Sequence, residues 1–154
     1  MEKHIVNISE PGSDVMTDML LDTGPFVAFL DRSERNHKRC LAFMREFKGH
    51  LLTTEAVLTE VVYLLGPLFT NQKPALDFIM LGGAELVPLS PALLKRSAAL
   101  MEKYADSPMD FADATLVALA EERGITSIVT LDRTDFSVYR INSRKGFTMY
   151  PETQ

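Results

Sequence analysis

The sequence predicts an α/β fold: a three-layer α/β/α sandwich with a central parallel sheet. Short apolar segments alternate along the chain with longer helical segments, the order expected when helices cover both faces of a parallel sheet. The chain has 154 residues, 46% of them hydrophobic, which suits one compact domain with a real core. We expect that domain to span residues 19–154. Residues 1–18 lack periodicity, contain Pro11-Gly12, and are predicted to form a leader or flexible arm.

The first half of the predicted domain contains two strands and three helices. The strands are expected at 19–21 and 51–53, where short apolar runs occur. Pro25 suits the first turn of a helix over 25–30, and Gly49 ends an amphipathic helix over 36–48. Thr54 is placed to cap a third helix that runs to residue 65.

The second half repeats this alternation. Helices are expected at 73–81, at 91–104 beginning with Pro91, and at 110–123 ending before Gly124. Strands are expected at 84–87 and 127–130. The tail offers two weaker strand candidates, at 139–141 and 147–149.

Residue composition excludes several classes of site. The single cysteine, Cys40, allows neither an internal disulfide nor a cysteine-based zinc site. The three histidines lack the spacing of a metal motif, and no serine-hydrolase elbow, phosphate-binding loop or dinucleotide fingerprint occurs. No apolar run is long enough to suggest a membrane span, and the first residues do not resemble a secretory signal, so we expect a cytoplasmic protein.

The formal net charge of −5 argues at first against a nucleic-acid partner. Four acids and one lysine of this total lie in residues 1–18, so residues 19–154 carry 17 acids against 15 lysines and arginines. The basic residues group at Arg32, Arg35, Lys38 and Arg39, and again at Arg133, Arg140, Arg144 and Lys145. These groups fit an ordinary solvated surface, but also a basic rim around an acidic site.

Two acids follow directly after predicted strands. Asp22 follows the strand at 19–21, and Asp132 follows the strand at 127–130. Ligands of open parallel sheets bind at the carboxyl ends of the strands, so neighbouring strands would direct both carboxylates into one crevice. Each acid also has a structural explanation: Asp22 as the cap of the next helix, and Asp132 as a turn residue.

Three further acids lie on predicted helices. Glu60 and Asp113 are surrounded by apolar residues, where an ionised carboxylate is costly unless it is paired or binds a metal. Glu60 could instead occupy an exposed strip of its helix. Asp110 lies three residues before Asp113 on the same helix face, at a position where an acid also caps the helix N-terminus.

Carboxylates brought together in this way repel one another, and a divalent cation relieves that repulsion. Oxygen-only ligands suit Mg²⁺ or Mn²⁺, and such an ion makes a bound water easier to deprotonate. The metal ligands would be Asp22, Asp110, Asp113 and Asp132, with Glu60 as a further catalytic acid. Thr23 and Thr130 lie beside Asp22 and Asp132, where they could position a phosphate or a water.

The order and spacing of these segments resemble the PIN-domain family, and within it the VapC-like toxins of type II toxin–antitoxin systems. The resemblance covers about residues 19–150. It rests on Leu20-Leu21-Asp22-Thr23-Gly24-Pro25, on Thr53-Thr54-Glu55 followed by Leu58-Thr59-Glu60-Val61, on Asp110-Phe111-Ala112-Asp113-Ala114, and on Val129-Thr130-Leu131-Asp132 before Asp135-Phe136.

This resemblance implies a Mg²⁺- or Mn²⁺-dependent endoribonuclease with catalytic acids at Asp22, Glu60, Asp113 and Asp132, and an accessory acid at Asp110. It implies an RNA substrate, a homodimer and a small antitoxin that places a basic side chain near the acids. Arg32 and Arg133 are then candidate RNA contacts. The alternatives are a nucleic-acid-binding module that does not cleave, a housekeeping RNA-processing nuclease and a phosphotransfer domain, for which the residues beside Asp22 and Asp132 fit poorly.

Overall fold

The computed structural model describes residues 17–153, which form a five-stranded parallel sheet with seven helices. The strands are β1 (Asp18–Leu21), β2 (His50–Thr54), β3 (Glu85–Val87), β4 (Ser127–Val129) and β5 (Thr148–Tyr150). The helices are α1 (Thr23–Leu30), α2 (His37–Glu46), α3 (Glu55–Leu64), α4 (Phe69–Met80), α5 (Pro91–Lys103), α6 (Phe111–Arg123) and α7 (Arg133–Val138). The predicted α/β fold is confirmed.

The predicted leader falls mostly outside the described residues, because residues 1–16 are not among them. Its last residue, Asp18, is the first residue of β1 and pairs with His50 of β2. Among residues 17–153, no helix is both long and apolar enough to cross a membrane.

The strand order is β3-β2-β1-β4-β5, and every neighbouring pair is parallel. The chain therefore moves outward in one direction from β1 to β3 and returns in the other direction through β4 to β5. Since crossovers between parallel strands are right-handed, the two directions place helices α1 to α4 on one face and α5 to α7 on the other. The order reverses between β1 and β4, which is where open α/β sheets bind ligands.

The central strands are apolar because both of their faces are covered. Leu20 pairs with Leu52 on one side and Ile128 on the other, and all three side chains are fully buried. The amide of Asp22 donates to the carbonyl of Val129, which continues the ladder one residue beyond β1. The sheet thus delivers the residues after β1 and β4 to the same edge, side by side.

The C-terminal region corrects one prediction. Residues 139–141 do not form a strand, because a helix, α7, occupies 133–138 and Tyr139 is its C-cap. Tyr139 and Ile141 are buried while Arg140 is exposed, so the alternation that suggests a strand comes from a turn closed by an isolated bridge between Ile141 and Lys145. The second candidate strand appears as β5, one residue later than predicted.

Helix α4 begins at Phe69, four residues before the predicted start at 73. The carbonyl of Leu68 accepts hydrogen bonds from the amides of Asn71 and Gln72 and so starts the helix. Pro74 lies in its second turn, where the missing N–H removes one backbone hydrogen bond without ending the helix.

An ion pair connects α5, α6 and the turn that follows α7. Nε and Nη2 of Arg96 donate to the two carboxylate oxygens of Glu121 at 2.6 and 3.0 Å. The amide of Asn142 donates to the same carboxylate at 2.9 Å. Burial alone would raise the pKa of Glu121, but these two donors lower it below its usual value. Glu121 therefore holds the 139–147 segment against the helical layer.

We expect Glu121→Ala to lower the free energy of unfolding by about 1–2 kcal/mol, because it leaves the Arg96 guanidinium and the Asn142 amide without their shared acceptor. Urea denaturation measures the change. Glu122→Ala is the matched control, since Glu122 is the exposed neighbour on the same helix and its loss should change stability by less than about 0.5 kcal/mol. Equal effects of the two substitutions would contradict the assigned role.

Candidate active site

The carboxyl ends of β1 and β4 open onto a cavity of about 430 Å³. Its lining residues are Asp22, Thr23, Gly24, Glu60, Asp110, Asp113, Leu131 and Asp132. The structure therefore brings all five acids named from the sequence to one cavity, from four different parts of the chain. The cavity lies at the point where the strand order reverses.

Asp22 is buried at the start of α1 and is held from two sides. Its Oδ1 accepts from the Thr23 amide and its Oδ2 accepts from the Thr130 hydroxyl, both at 2.8 Å. Burial raises the pKa of Asp22 to about 6, although these two donors act in the opposite direction. Asp22 therefore caps α1, as its structural explanation requires, and also faces the cavity.

Glu60 lies on α3 and is half-buried. Its Oε2 accepts from the Thr23 hydroxyl at 2.8 Å, a contact that joins α3 to the first residue of α1. Glu60 is therefore not on a solvated strip of its helix; it is a cavity acid oriented by a neighbouring hydroxyl.

Asp110 and Asp113 begin α6 and have different surroundings. Asp110 is exposed, and its Oδ1 accepts from the Asp113 amide at 2.8 Å, which caps the helix. Asp113 is 7% exposed, and its Oδ2 accepts from the Tyr139 hydroxyl at 3.0 Å. Burial, with the negative charges of Asp22 and Asp110, raises the pKa of Asp113 to about 8. A cation bound beside Asp113 would favour the ionised form of this carboxyl group.

The tightest grouping of acids contains Asp135, which was absent from the predicted site. One carboxylate oxygen from each of Asp113, Asp132 and Asp135 lies within 4.8 Å of the other two. Asp132 Oδ1 accepts from the Asp135 amide at 3.1 Å and caps α7. Burial, followed by the contact with Asp132, raises the pKa of Asp135. Asp135 lies three residues after Asp132, a spacing that brings two side chains together only on a helix. The sequence pattern predicts no helix there, so Asp135 is not among the predicted site residues.

Thr130 connects the two strand-end acids. Its hydroxyl donates to Asp22 Oδ2 and accepts from the Asp132 amide at 3.0 Å. Thr23 similarly donates its hydroxyl proton to Glu60. The geometry thus gives both threonines a role in orienting carboxylates, while their predicted contact with a phosphate or a water stays a prediction.

The two candidate RNA contacts lie in different surroundings. Arg32 is exposed and lines a separate cavity of about 370 Å³ between the end of α1 and the start of α4. Arg133 is half-buried, and its Nη1 donates to the Pro151 carbonyl at 3.1 Å. Arg39 donates to the same carbonyl at 2.9 Å. Arg39 and Arg133 therefore both hold the backbone at Pro151 in place. Contact of Arg32 or Arg133 with RNA stays a prediction.

The residues around the cavity fit a hard divalent cation. The close group of Asp113, Asp132 and Asp135 offers carboxylate oxygens alone, the ligands that Mg²⁺ and Mn²⁺ prefer. The raised pKa values of Asp22 and Asp113 show that ionisation of these acids is opposed in the absence of a cation. A bound cation would remove that opposition.

Comparison with known proteins agrees with this geometry. The family model of the PIN domain matches residues 19–141. Ribonuclease VapC26 of Mycobacterium tuberculosis is 30% identical over 135 residues, which cover 86% of this chain and 100% of that protein.

Three solved structures share the fold. The toxin VapC20 of Mycobacterium tuberculosis, described as cleaving the sarcin-ricin loop, aligns with a TM-score of 0.66 and 18% identity over 71% of this chain and 86% of its own. VapBC2 from Rickettsia felis, bound to promoter DNA, aligns with a TM-score of 0.63 and 13% identity over 87% of this chain and 99% of its own. A chain of a toxin–antitoxin complex from Klebsiella pneumoniae aligns with a TM-score of 0.57 and 19% identity over 78% of this chain and 91% of its own. The family match over most of the chain and the 30% identity to Ribonuclease VapC26 establish that the chain belongs to the PIN domain family.

Proposed function

We propose that this protein is a metal-dependent endoribonuclease and the toxin of a type II toxin–antitoxin pair. The observation that carries the proposal is the close grouping of Asp113, Asp132 and Asp135, of which Asp113 and Asp132 line the cavity where β1 and β4 end. The ribonuclease name of the curated relative and the toxin–antitoxin assemblies among the structural neighbours support RNA as the substrate and an antitoxin as the partner. A homodimer acting in the cytoplasm is part of the same proposal.

The cofactor is Mg²⁺ or Mn²⁺. Asp113 and Asp132 would hold it together with Asp135, while Asp22 and Asp110 face the same cavity and complete the negative surroundings. When bound, such an ion neutralises charge on the scissile phosphate and makes hydrolysis by water easier. Leu131 and Gly24 line the same cavity as these acids.

The chain's own residues position the carboxylates and move protons. Thr130 holds Asp22 and the backbone of Asp132 at a fixed separation, so the two strand ends act as one frame. Glu60, oriented by Thr23, lines the cavity and would accept a proton from the attacking water. An antitoxin that places a basic side chain among these acids would silence the enzyme by satisfying the same charge.

Asp113→Asn and Asp132→Asn are each expected to lower the rate of RNA cleavage by about 100-fold or more, because each removes a charged oxygen ligand. Cleavage of a structured RNA is followed on gels with Mg²⁺, with Mn²⁺ and with chelator. The matched control is Asp106→Asn, which removes an exposed acid that does not line the cavity. Undiminished cleavage by Asp113→Asn would refute the proposal, and RNA binding without metal binding would favour a non-catalytic module.

Induced expression in a bacterium is expected to arrest growth, and Asp22→Asn is expected to relieve the arrest. The reason is that Asp22 lines the cavity, and asparagine removes its ionisable carboxyl group while keeping nearly the same shape. Growth curves and the amount of soluble protein are measured together, so that loss of the protein is not mistaken for loss of activity. Normal growth with abundant soluble wild-type protein would argue for a housekeeping nuclease instead of a toxin.

The free energy of unfolding of the metal-free protein is expected to fall as pH rises from about 4 to about 8. The pKa values of Asp22 and Asp113, about 6 and about 8, lie above the ordinary value of 3.8, so the folded state binds more protons than the unfolded state across this window. Asp113→Asn removes the larger contribution and should be more stable than the wild type at pH 8 by a few kcal/mol, in order of magnitude.

Urea denaturation with chelator at pH 5 and pH 8 tests this expectation. Addition of Mn²⁺ at pH 8 should restore stability to the wild type and should stabilise Asp113→Asn less, because that variant binds Mn²⁺ more weakly through its remaining acids. Parallel pH profiles of the wild type and the variant would show that Asp113 does not titrate in this window.

A further inference from the structure

Tyr139 is a buried residue outside the predicted site that touches it directly. Its side chain is 2% exposed, and its hydroxyl donates to Oδ2 of Asp113 at 3.0 Å. We infer that Tyr139 is a positioning residue that sets the orientation of the Asp113 carboxylate toward Asp132 and Asp135. This inference rests on the proposed metal-dependent function and adds to it a residue that holds the acid cluster together.

Tyr139 connects the two helices that supply the close acid group. Its hydroxyl reaches Asp113 in the first turn of α6, while its backbone amide donates to the carbonyl of Asp135 at 3.2 Å. Asp132 and Asp135 lie at the other end of the same short helix, α7, of which Tyr139 is the C-cap. One residue therefore ties the acid of α6 to the element that carries the other two.

The aromatic ring of Tyr139 is itself fixed. It packs edge-on against Phe136, with 5.2 Å between centroids, and against Tyr104, with 5.3 Å. Phe136 in turn packs against Phe147 at 5.5 Å. A ring enclosed in this way has little rotational freedom to lose, so its hydroxyl is a rigid donor.

This donor restricts the carboxylate before any ion arrives. With Oδ2 held by the phenol, rotation of the Asp113 carboxylate about its terminal bond is opposed, and one orientation is favoured. A tyrosine hydroxyl keeps its proton across the physiological pH range, so Tyr139 remains a donor to Asp113 there. Partners that hold a metal ligand in place change metal affinity by about 10- to 100-fold when they are removed.

The test compares Tyr139→Phe with Tyr104→Phe, with Mn²⁺ alone as the probe. Tyr139→Phe keeps the ring and removes the donor to Asp113, so Mn²⁺ should bind about tenfold more weakly. Tyr104→Phe removes a hydroxyl that accepts from the Arg140 amide and does not touch Asp113, so its Mn²⁺ affinity should equal that of the wild type. Calorimetric titration measures the affinities, and thermal unfolding in chelator confirms that each variant is folded.

A second comparison isolates the contact. In an Asp113→Asn background, Tyr139→Phe should cause no further loss of Mn²⁺ affinity, because the carboxylate on which Tyr139 acts is gone. A Tyr139→Phe protein that binds Mn²⁺ as the wild type does, even with a lowered melting temperature, would overturn the inference and leave the proposed function intact. A wild-type protein that does not bind Mn²⁺ would overturn the metal-dependent function and this inference together.

Discussion

The parallel pairing of β1 with β4 is the constraint on which the site depends. These strands are neighbours in the sheet but distant in sequence. After β1 the chain continues toward β2 on one side of the sheet, and after β4 it continues toward β5 on the other side. The helices that follow them consequently leave the sheet on opposite faces, and a cavity opens between their first turns. Asp22 and Asp132 begin those helices, so the same geometry that ends the strands brings the two acids to one place.

The repulsion and burial of these acids lower the free energy of unfolding of the metal-free protein. The hydrogen-bond donors around them reduce this loss of stability. Asp22 accepts from a hydroxyl and an amide, and Asp113 accepts from a phenol. Among the described residues, every fully buried side-chain nitrogen or oxygen has a hydrogen-bond partner. The structure therefore orients these carboxyl groups before any cation binds, so a cation would meet acids that are already in place.

Much of this arrangement could be predicted from the sequence, because it follows from rules that act locally. Apolar runs located the central strands, and the strand-end rule then placed Asp22 and Asp132 together. Glu60 and Asp113 were indicated by the cost of a charge among apolar neighbours.

The remaining features depend on contacts that no local pattern encodes. Helix α7 has six residues, too few to show a helical period, so Asp135 was not recognised as a member of the acid cluster. The sequence pattern at 139–141 suggests a strand, whereas Tyr139 is the C-cap of α7 and the following turn buries alternate side chains. The attachment of Arg133 to the Pro151 carbonyl depends on where the chain end folds back. Such contacts follow from the assembled fold, and only the structure shows them.

The order of the acids along the chain has a consequence for biosynthesis. The ribosome synthesises Asp22 long before Asp132, Asp135 and Tyr139. The hydrogen bond between Thr130 and Asp22 joins residues that are 108 positions apart. Parallel strand pairing over such a separation forms late in folding, because the entropy lost in closing a long loop is offset only after the strands are in contact. A growing polypeptide therefore cannot bring these acids together until the segment that carries Asp132, Asp135 and Tyr139 has been synthesised.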